Sequence, residues 1–344
     1  MSEVALYRKY RPQDFDDVVG QKHVVEVLEG QIKTGKIAHA YLFSGSRGTG
    51  KTTLARILAK ELGCGWKDVY EIDAASNRGI DEIRELREAV QTLPFEGAYK
   101  VYIIDEAHML TPPAFNALLK TLEEPPKHVI FILATTEEHK LPETIVSRCQ
   151  SFTFKRPTEE ELRERLTHIA KKEGYTVDPH ALSLVALLGE GSFRDAIGVF
   201  QKVISTSKDK KITSDEVEKI TGAPSSSLVQ DLIRNILDGA TDKALKTLYD
   251  IQEKNLDVKL FTKLVLQSVR FSMLTLYAPE LKKEISTRAA EGELTFFEEV
   301  SKHKNSKILP LLLRELLGVY VDIDNAYIKI LPMELAILKV LKQD

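Results

Sequence analysis

Cysteine is scarce: only Cys64 and Cys149 occur in 344 residues. Two thiols exclude a disulfide framework and a four-cysteine metal site, and they fit a reducing, cytoplasmic compartment. No run of about 18 apolar residues is present, so the sequence offers no membrane span. The N-terminus, Met1-Ser2-Glu3-Val4-Ala5-Leu6-Tyr7-Arg8-Lys9, lacks the apolar core of a signal peptide. An excess of positive charge is also missing. A net charge of −3 and a pI near 6.3 argue against a free-standing, strongly basic nucleic-acid binder, although not against a local basic surface. What is present is ordinary: 43% hydrophobic and 29% charged residues, enough for real cores in two or three domains.

The strongest local signal is Gly45-Ser46-Arg47-Gly48-Thr49-Gly50-Lys51-Thr52, a complete G-x-x-x-x-G-K-T phosphate loop. It follows a strand-like run, His39–Ser44, and opens a helix-like run, Thr52–Leu62. Glycines let successive backbone N–H groups turn inward on a polyphosphate, and the helix N-terminus adds partial positive charge. Gly45, Ser46, Gly48, Thr49, Gly50 and Thr53 would form the cradle. Lys51 would reach the β- and γ-phosphates, and the Thr52 hydroxyl would ligate Mg²⁺.

Residues 1–156 alternate short apolar strands with amphipathic helices, which implies an α/β fold with a mainly parallel sheet covered on both faces. Further strands are expected at Asp68–Asp73, Tyr99–Ile104, Val129–Ala134 and Ser151–Phe154, with helices at Asp81–Leu93 and Pro113–Glu123. From Thr158 the strands are expected to stop. Thr158 and Glu161 form a capping-box pattern opening a helix over Glu159–Glu173, followed by helices at Pro179–Leu188, Phe193–Ser205 and Ser214–Thr221. Ser207-Lys208-Asp209-Lys210-Lys211 reads as a solvated loop. Gly222-Ala223-Pro224-Ser225-Ser226-Ser227 is the best boundary, and everything beyond it reads as helix.

Val101-Tyr102-Ile103-Ile104-Asp105-Glu106 is an apolar strand ending in two carboxylates. Beside a phosphate loop, Asp105 would hold Mg²⁺ and Glu106 would polarise the attacking water as general base. His108 reads as a packing or hydrogen-bonding residue rather than a catalytic one. Phe131–Thr136 is an apolar strand ending in hydroxyls that could orient water or sense a γ-phosphate. Arg148, in Ser147-Arg148-Cys149, could clamp phosphate oxygens of a neighbouring subunit as an arginine finger, and Arg194 could reach the γ-phosphate of its own site. Either arginine alone would more often be a surface salt-bridge partner.

Together these residues resemble the AAA+ clamp loaders, and within them the bacterial DNA polymerase III gamma/tau family. The matching strings include Tyr7-Arg8-Lys9-Tyr10-Arg11-Pro12, Asp17-Val18-Val19-Gly20-Gln21, Glu71-Ile72-Asp73-Ala74-Ala75-Ser76-Asn77-Arg78-Gly79, Ala114–Pro126, Ser147-Arg148-Cys149 and Gly191-Ser192-Phe193-Arg194-Asp195-Ala196. The resemblance implies an AAA+ RecA-like ATPase core over 1–156, a helical lid over 157–222 and an all-α, oligomerising collar over 223–344. It carries Lys51, Thr52, Asp105 and Glu106 over as the ATPase centre. Thr136 falls on the first sensor, with Thr135 as the neighbouring alternative, Arg148 on the trans finger and Arg194 on the second sensor. Tyr10, Arg11 and Val19 fall on the adenine and ribose pocket. The implied activity is ATP hydrolysis with Mg²⁺ that opens a sliding clamp and loads it on primer–template DNA, in a hetero-oligomeric ring with delta- and delta-prime-like subunits.

Two departures stand out. Family members usually carry a four-cysteine zinc module where this chain has only Leu62-Gly63-Cys64-Gly65-Trp66-Lys67, and one thiolate cannot make a tetrahedral site, so no zinc is expected. The chain also stops after the collar, as expected of a gamma-like or truncated form without the tau-type extension. Three other readings stand beside the motor: a non-motor scaffold subunit, a replication factor C small-subunit-like ATPase, and a branch-migration helicase of the same superfamily. For DNA contact, Arg78, Arg84 and Arg87 are interleaved with Glu82, Glu85 and Glu88, which reads first as a solvated, salt-bridged face.

Overall fold

The computed structural model describes residues 4–77, 79–207, 209–286, 289 and 291–342; for Ile80, Asp81, Glu82, Lys283 and Glu291 it describes the backbone alone. Arg78, Lys208 and the Glu82 side chain, singled out above, therefore lie outside the described residues. In chain order the elements are α1 (Leu6–Lys9), α2 (Lys22–Thr34), β1 (Ala40–Gly45), α3 (Lys51–Glu61), β2 (Val69–Asp73), α4 (Ile80–Val90), β3 (Lys100–Asp105), α5 (Pro112–Glu123), β4 (Val129–Thr135), α6 (Glu143–Val146) and β5 (Gln150–Phe154). There follow α7 (Glu159–Glu173), β6 (Thr176–Val177), α8 (Pro179–Leu188), α9 (Phe193–Thr206), β7 (Lys211–Ile212) and α10 (Ser214–Thr221). The chain then runs through α11 (Ser226–Leu237), α12 (Thr241–Glu253), α13 (Val258–Tyr277), α14 (Lys282–Ser286), α15 (Glu291–Lys302), α16 (Leu309–Asp322) and α17 (Leu331–Leu341). These pack as two compact units, residues 1–169 with 186–198, and residues 170–185 with 199–344.

In the first unit, five parallel strands stand in the order β2-β3-β4-β1-β5. Interior strands of a sheet covered on both sides read as unbroken apolar runs, because successive side chains point to opposite buried faces. Every residue of β4, Val-Ile-Phe-Ile-Leu-Ala-Thr, is buried accordingly. Tyr102, Ile104, Phe131 and Leu133 pack with Ile83 and Leu86 of α4 and Phe115 and Leu118 of α5. The alternate residues Val101, Ile103, Ile130 and Ile132 pack on the other face with Val24 and Leu28 of α2 and Leu54 and Leu58 of α3. Tyr70, Tyr102 and Phe131 stack across β2, β3 and β4, with centroids 4.9 and 5.6 Å apart. Because β1 lies between β4 and β5 while its chain neighbours lie further out, the turn after β1 opens at the carboxyl edge, where ligands bind in such sheets.

The capping box expected at Thr158 forms in full: Glu161 N donates to Thr158 Oγ1 at 3.2 Å, and Thr158 N donates to Glu161 Oε2 at 2.8 Å. The expectation that strands end at Thr158 is corrected. β6 and β7 pair in parallel, with Thr176 N donating to Lys210 O at 2.7 Å and Asp178 N to Ile212 O at 3.0 Å. The loop expected over 207–211 thus ends in a strand. Two-residue strands carry no period, so pattern reading passes over them.

The second unit ends in a helical assembly centred on α13. Phe261, Val265 and Val269, spaced by four along that helix, are fully buried with Phe297 of α15, Leu312 and Leu316 of α16, and Ile337 of α17. Among the described residues no helix is long and apolar enough to cross a membrane.

Candidate active site

The turn between β1 and α3 is shaped by its glycines. Gly45 has φ +146°, and a Cβ there would lie 2.5 Å from the Phe154 carbonyl oxygen, so backbone of β5 excludes any side chain. Gly48 has φ +71°, and a Cβ there would lie 1.9 Å from Ser192 Oγ. The same Gly48 accepts a hydrogen bond from Phe193 N at 3.0 Å, so the start of α9 sits directly on the loop.

Lys51 is buried, only 6% exposed, and its Nζ donates to Gly45 O and Ser46 O, each at 2.8 Å. Burial holds its ammonium below the usual lysine range, while Glu106 and Asp105 pull it back up. An ammonium satisfied only by neutral carbonyls and two nearby carboxylates is poised for an anion. One residue on, Thr52 Oγ1 donates to Asp105 Oδ2 at 2.7 Å, joining the start of α3 to the end of β3. Glu106 N donates to Asp105 Oδ1 at 3.0 Å, and Thr136 Oγ1 donates to Glu106 Oε2 at 3.1 Å. Glu106 has φ +49°, the left-handed region that residues other than glycine seldom occupy. Strain of this kind gathers where side chains are held for function.

These residues open on a cleft of about 820 Å³. Of the residues singled out from the sequence, Tyr10, Arg11, Val19, Gly48, Thr49, Gly50, Lys51, Thr52, Thr53, Asp105, Glu106 and Arg194 line it. Gly45 and Ser46 border it through Lys51, and Thr136 through Glu106. Thr135 points elsewhere: its hydroxyl is fully buried and engaged by Glu137 N at 3.0 Å and His108 Nδ1 at 2.9 Å. Arg194 lies over the Tyr7 ring, 5.0 Å from its centroid. Arg148 does not join the cleft of its own chain. Its Nη2 lies 2.6 Å from Glu123 Oε1, and its Nη1 donates to Thr144 O at 2.7 Å.

The cleft is rich in fixed positive charge. Burial, then the neighbouring Arg56, hold the Arg11 guanidinium below its usual range; Arg8 and Arg194 act in the same direction and Glu71 against it. Arg56 is itself clamped on Glu71 by two bonds of 2.7 Å. Two contributors escaped the sequence reading: Arg156, whose Nε donates to Ser46 Oγ at 2.9 Å, and Arg165, bonded to Tyr10 O. Both are separated from their partners by more than 100 residues, and no local pattern marks them. Ser192, against Gly48, lies in a string singled out above but carries no assigned role there. Cys64 packs on the α2–α3 side of the sheet and Cys149 on the α4–α5 side, so the two thiols do not share a site.

Three family descriptions match successive stretches. "DNA polymerase III, delta subunit" matches residues 20–79 and 66–158; "DNA polymerase III clamp loader subunit, ATPase lid domain" matches 161–209; "DNA polymerase III subunits gamma and tau domain III" matches 212–344. The DNA polymerase III subunit tau of Bacillus subtilis is 46% identical over 278 residues, covering 75% of this chain and 49% of that one. The chain thus spans about half the length of that relative. Two DNA polymerase III gamma subunits from Buchnera aphidicola are covered further. The Baizongia pistaciae form is 42% identical over 71% of this chain and 70% of its own, and the Schizaphis graminum form 35% identical over 90% of both. Among solved structures, the Thermotoga maritima RuvB Holliday junction branch migration motor superposes with a TM-score of 0.54 at 23% identity, over 66% of this chain and 79% of that one. At that identity the likeness concerns the fold alone, a parallel-sheet core covered by helices. By its successive domain matches and its identity to gamma subunits over most of their length, the chain belongs to the gamma/tau family of DNA polymerase III clamp-loader subunits.

Proposed function

We propose that this chain is an ATP-hydrolysing motor subunit of a DNA polymerase III clamp loader, which opens a sliding clamp and loads it on primer–template DNA. The observation that carries this reading is the Thr52–Asp105 bond of 2.7 Å, with Glu106 held by Thr136 beside it at the mouth of an arginine-rich cleft. A phosphate-loop hydroxyl on the first of two strand-end carboxylates is an oxygen pair that would suit Mg²⁺ beside a bound polyphosphate.

In this reading Thr52 and Asp105 would hold Mg²⁺, which would supply positive charge to the phosphates. The loop N–H groups of 48–53 and Lys51 bind the phosphates. Lys51 exchanges its two carbonyl acceptors for phosphate oxygens, a charge-assisted gain. Glu106 accepts a proton from the attacking water, and Thr136 orients that carboxylate. Arg194 meets the γ-phosphate from the start of α9. Since α9 also bonds Gly48, nucleotide state and the placement of this helix are linked. Tyr10, Arg11 and Val19 surround the base and ribose. Arg148, turned from its own cleft, serves the site of a neighbouring subunit.

The division into an ATPase core over 1–156, a lid over 157–222 and a collar over 223–344 belongs to the same proposal. So do the partners: delta- and delta-prime-like subunits in a ring, the clamp and DNA, in the cytoplasm. A non-motor scaffold would have no need of the assembled Lys51, Thr52, Asp105 and Glu106. The test compares Glu106→Gln with Lys51→Ala. The first should bind ATP and fail to hydrolyse it; the second should lose affinity as well. Hydrolysis at the unsubstituted rate by Glu106→Gln would remove Glu106 from its role as base.

A further inference from the structure

His108 stands two residues after Glu106, on the tight turn Ala107–Met109, with a side chain only 8% exposed. Its two ring nitrogens meet different elements. Nδ1 lies 2.9 Å from Thr135 Oγ1 at the end of β4, and 3.6 Å from Glu106 Oε2. Nε2 lies 3.3 Å from Glu137 Oε2. Lys140, 2.7 Å away, holds the Glu137 carboxyl below its usual range by a hydrogen bond, so Glu137 is ionised and can only accept. The Thr135 hydroxyl oxygen that shares a hydrogen bond with Nδ1 also accepts from Glu137 N at 3.0 Å. Two hydrogen bonds, His108–Thr135 and Glu137–Thr135, and the 3.3 Å approach of Nε2 to Glu137 thus link the three residues, and the imidazole meets a partner at both ends.

The consequence falls on Glu106. Its backbone is in the left-handed region, which needs neighbours that hold it there. Its Oε2 receives Thr136 Oγ1 at 3.1 Å and lies 3.6 Å from the Nδ1 edge of the ring. At 3.6 Å the Nδ1 edge lies beyond hydrogen-bond distance of the carboxylate but within contact of it. It limits how far Oε2 can swing and keeps it on Thr136.

We propose that His108 is a positioning residue for Glu106: braced by Thr135 and Glu137, the imidazole confines Oε2 to Thr136 and so leaves Oε1 to accept the proton of the attacking water. The role rests on Glu106 acting as the base. It gives the fully buried Thr135 a task distinct from that of Thr136. Residues two positions from a catalytic group act through geometry, and a misplacement of about 1 Å costs up to roughly 100-fold in rate.

The experiment uses the full chain, in the assembly in which the unsubstituted chain hydrolyses ATP, and measures kcat, ATP affinity and melting temperature. The variants are His108→Ala, His108→Asn, His108→Gln, Glu106→Gln, and Glu106→Gln with His108→Ala. His108→Ala should lower kcat about 10- to 100-fold with ATP affinity unchanged. Asparagine carries a polar atom near the Nδ1 position and glutamine one near Nε2, so His108→Asn should recover most of kcat and His108→Gln little. In the Glu106→Gln background, followed by single turnover, loss of His108 should add nothing, since both changes remove one unit. Recovery by glutamine rather than asparagine, or an equal further loss in the Glu106→Gln background, would overturn the proposal. So would an unchanged kcat for His108→Ala while Glu106→Gln is inactive, and in that case the base assignment survives. An active Glu106→Gln protein would overturn both.

Discussion

Replacing Gly48 by alanine tests how α9 is seated on the phosphate loop, and its effect can be worked out from two contacts. The first term is conformational. Gly48 has φ +71°, and an L-residue in that region costs about 1–2 kcal/mol. The second is steric. The new Cβ would lie 1.9 Å from Ser192 Oγ and 2.9 Å from Ser192 Cβ, so the hydroxyl must turn away. That hydroxyl accepts from Asp195 N at 3.2 Å and caps the start of α9, and loss of such a cap costs about 0.5–2 kcal/mol. Gly48→Ala should therefore destabilise the unit that carries the sheet by about 1.5–4 kcal/mol, or roughly 3–16 °C in melting temperature. Ser192→Gly alone should cost a few tenths of a kcal/mol, because glycine is a tolerable cap. The double substitution relieves the collision and keeps only the conformational term, about 1–2 kcal/mol. Differential scanning calorimetry of the four proteins separates these values. A double variant melting at or below Gly48→Ala would show that Ser192 is not what the added methyl group meets.

Two further outcomes follow from burial and charge. Burial pushes the Cys64 thiol up to about 11 and the Cys149 thiol up to about 12, so at pH 8 both should react with a disulfide reagent at least about 100-fold more slowly in the native chain than in guanidinium, and equal rates would contradict this. A hydrogen bond to Glu293 at 3.2 Å raises the His180 pKa above its ordinary value despite burial, so its stabilisation is complete below about pH 6.5 and fades as pH rises through the folded value. The melting-temperature gap between the unsubstituted chain and His180→Gln should therefore narrow from about pH 5.5 to about pH 9, a range that starts below the ordinary value and ends well above it; a gap that widens would reverse the sign.

Much of this molecule could be read before its structure. The phosphate loop and the Asp105-Glu106 pair are legible because their function requires neighbours in sequence: consecutive N–H groups, a lysine and hydroxyl at a helix start, carboxylates at a strand end. The sheet strands fell within about a residue of their expected bounds, since burial on both faces leaves unbroken apolar runs such as Val129–Ala134. The rest depends on tertiary approach. Arg156 reaches Ser46, Arg165 reaches Tyr10, and Thr135 is taken by His108 while Thr136 takes Glu106. Adjacent threonines on a strand end point to opposite sides, so the choice between them needs the positions of the turn after β3 as well as β4. α2 was not marked out either: only Val24 and Leu28 along its 13 residues are buried, too thin a stripe to stand out.

The central claim is that each nucleotide site is completed by Arg148 of another subunit, and mixing two inactive proteins tests it. Arg148→Ala keeps an intact phosphate loop and lacks the finger; Lys51→Ala keeps the finger and lacks the loop lysine. Arginine fingers in P-loop GTPases are worth roughly 10³–10⁵ in rate, so each protein alone should be close to silent. In a mixed assembly some interfaces pair the intact loop of one with the intact finger of the other, and part of the ATPase activity should return. Full activity of Arg148→Ala within a confirmed oligomer, or no recovery on mixing when subunit exchange is demonstrated, would contradict a finger acting between subunits.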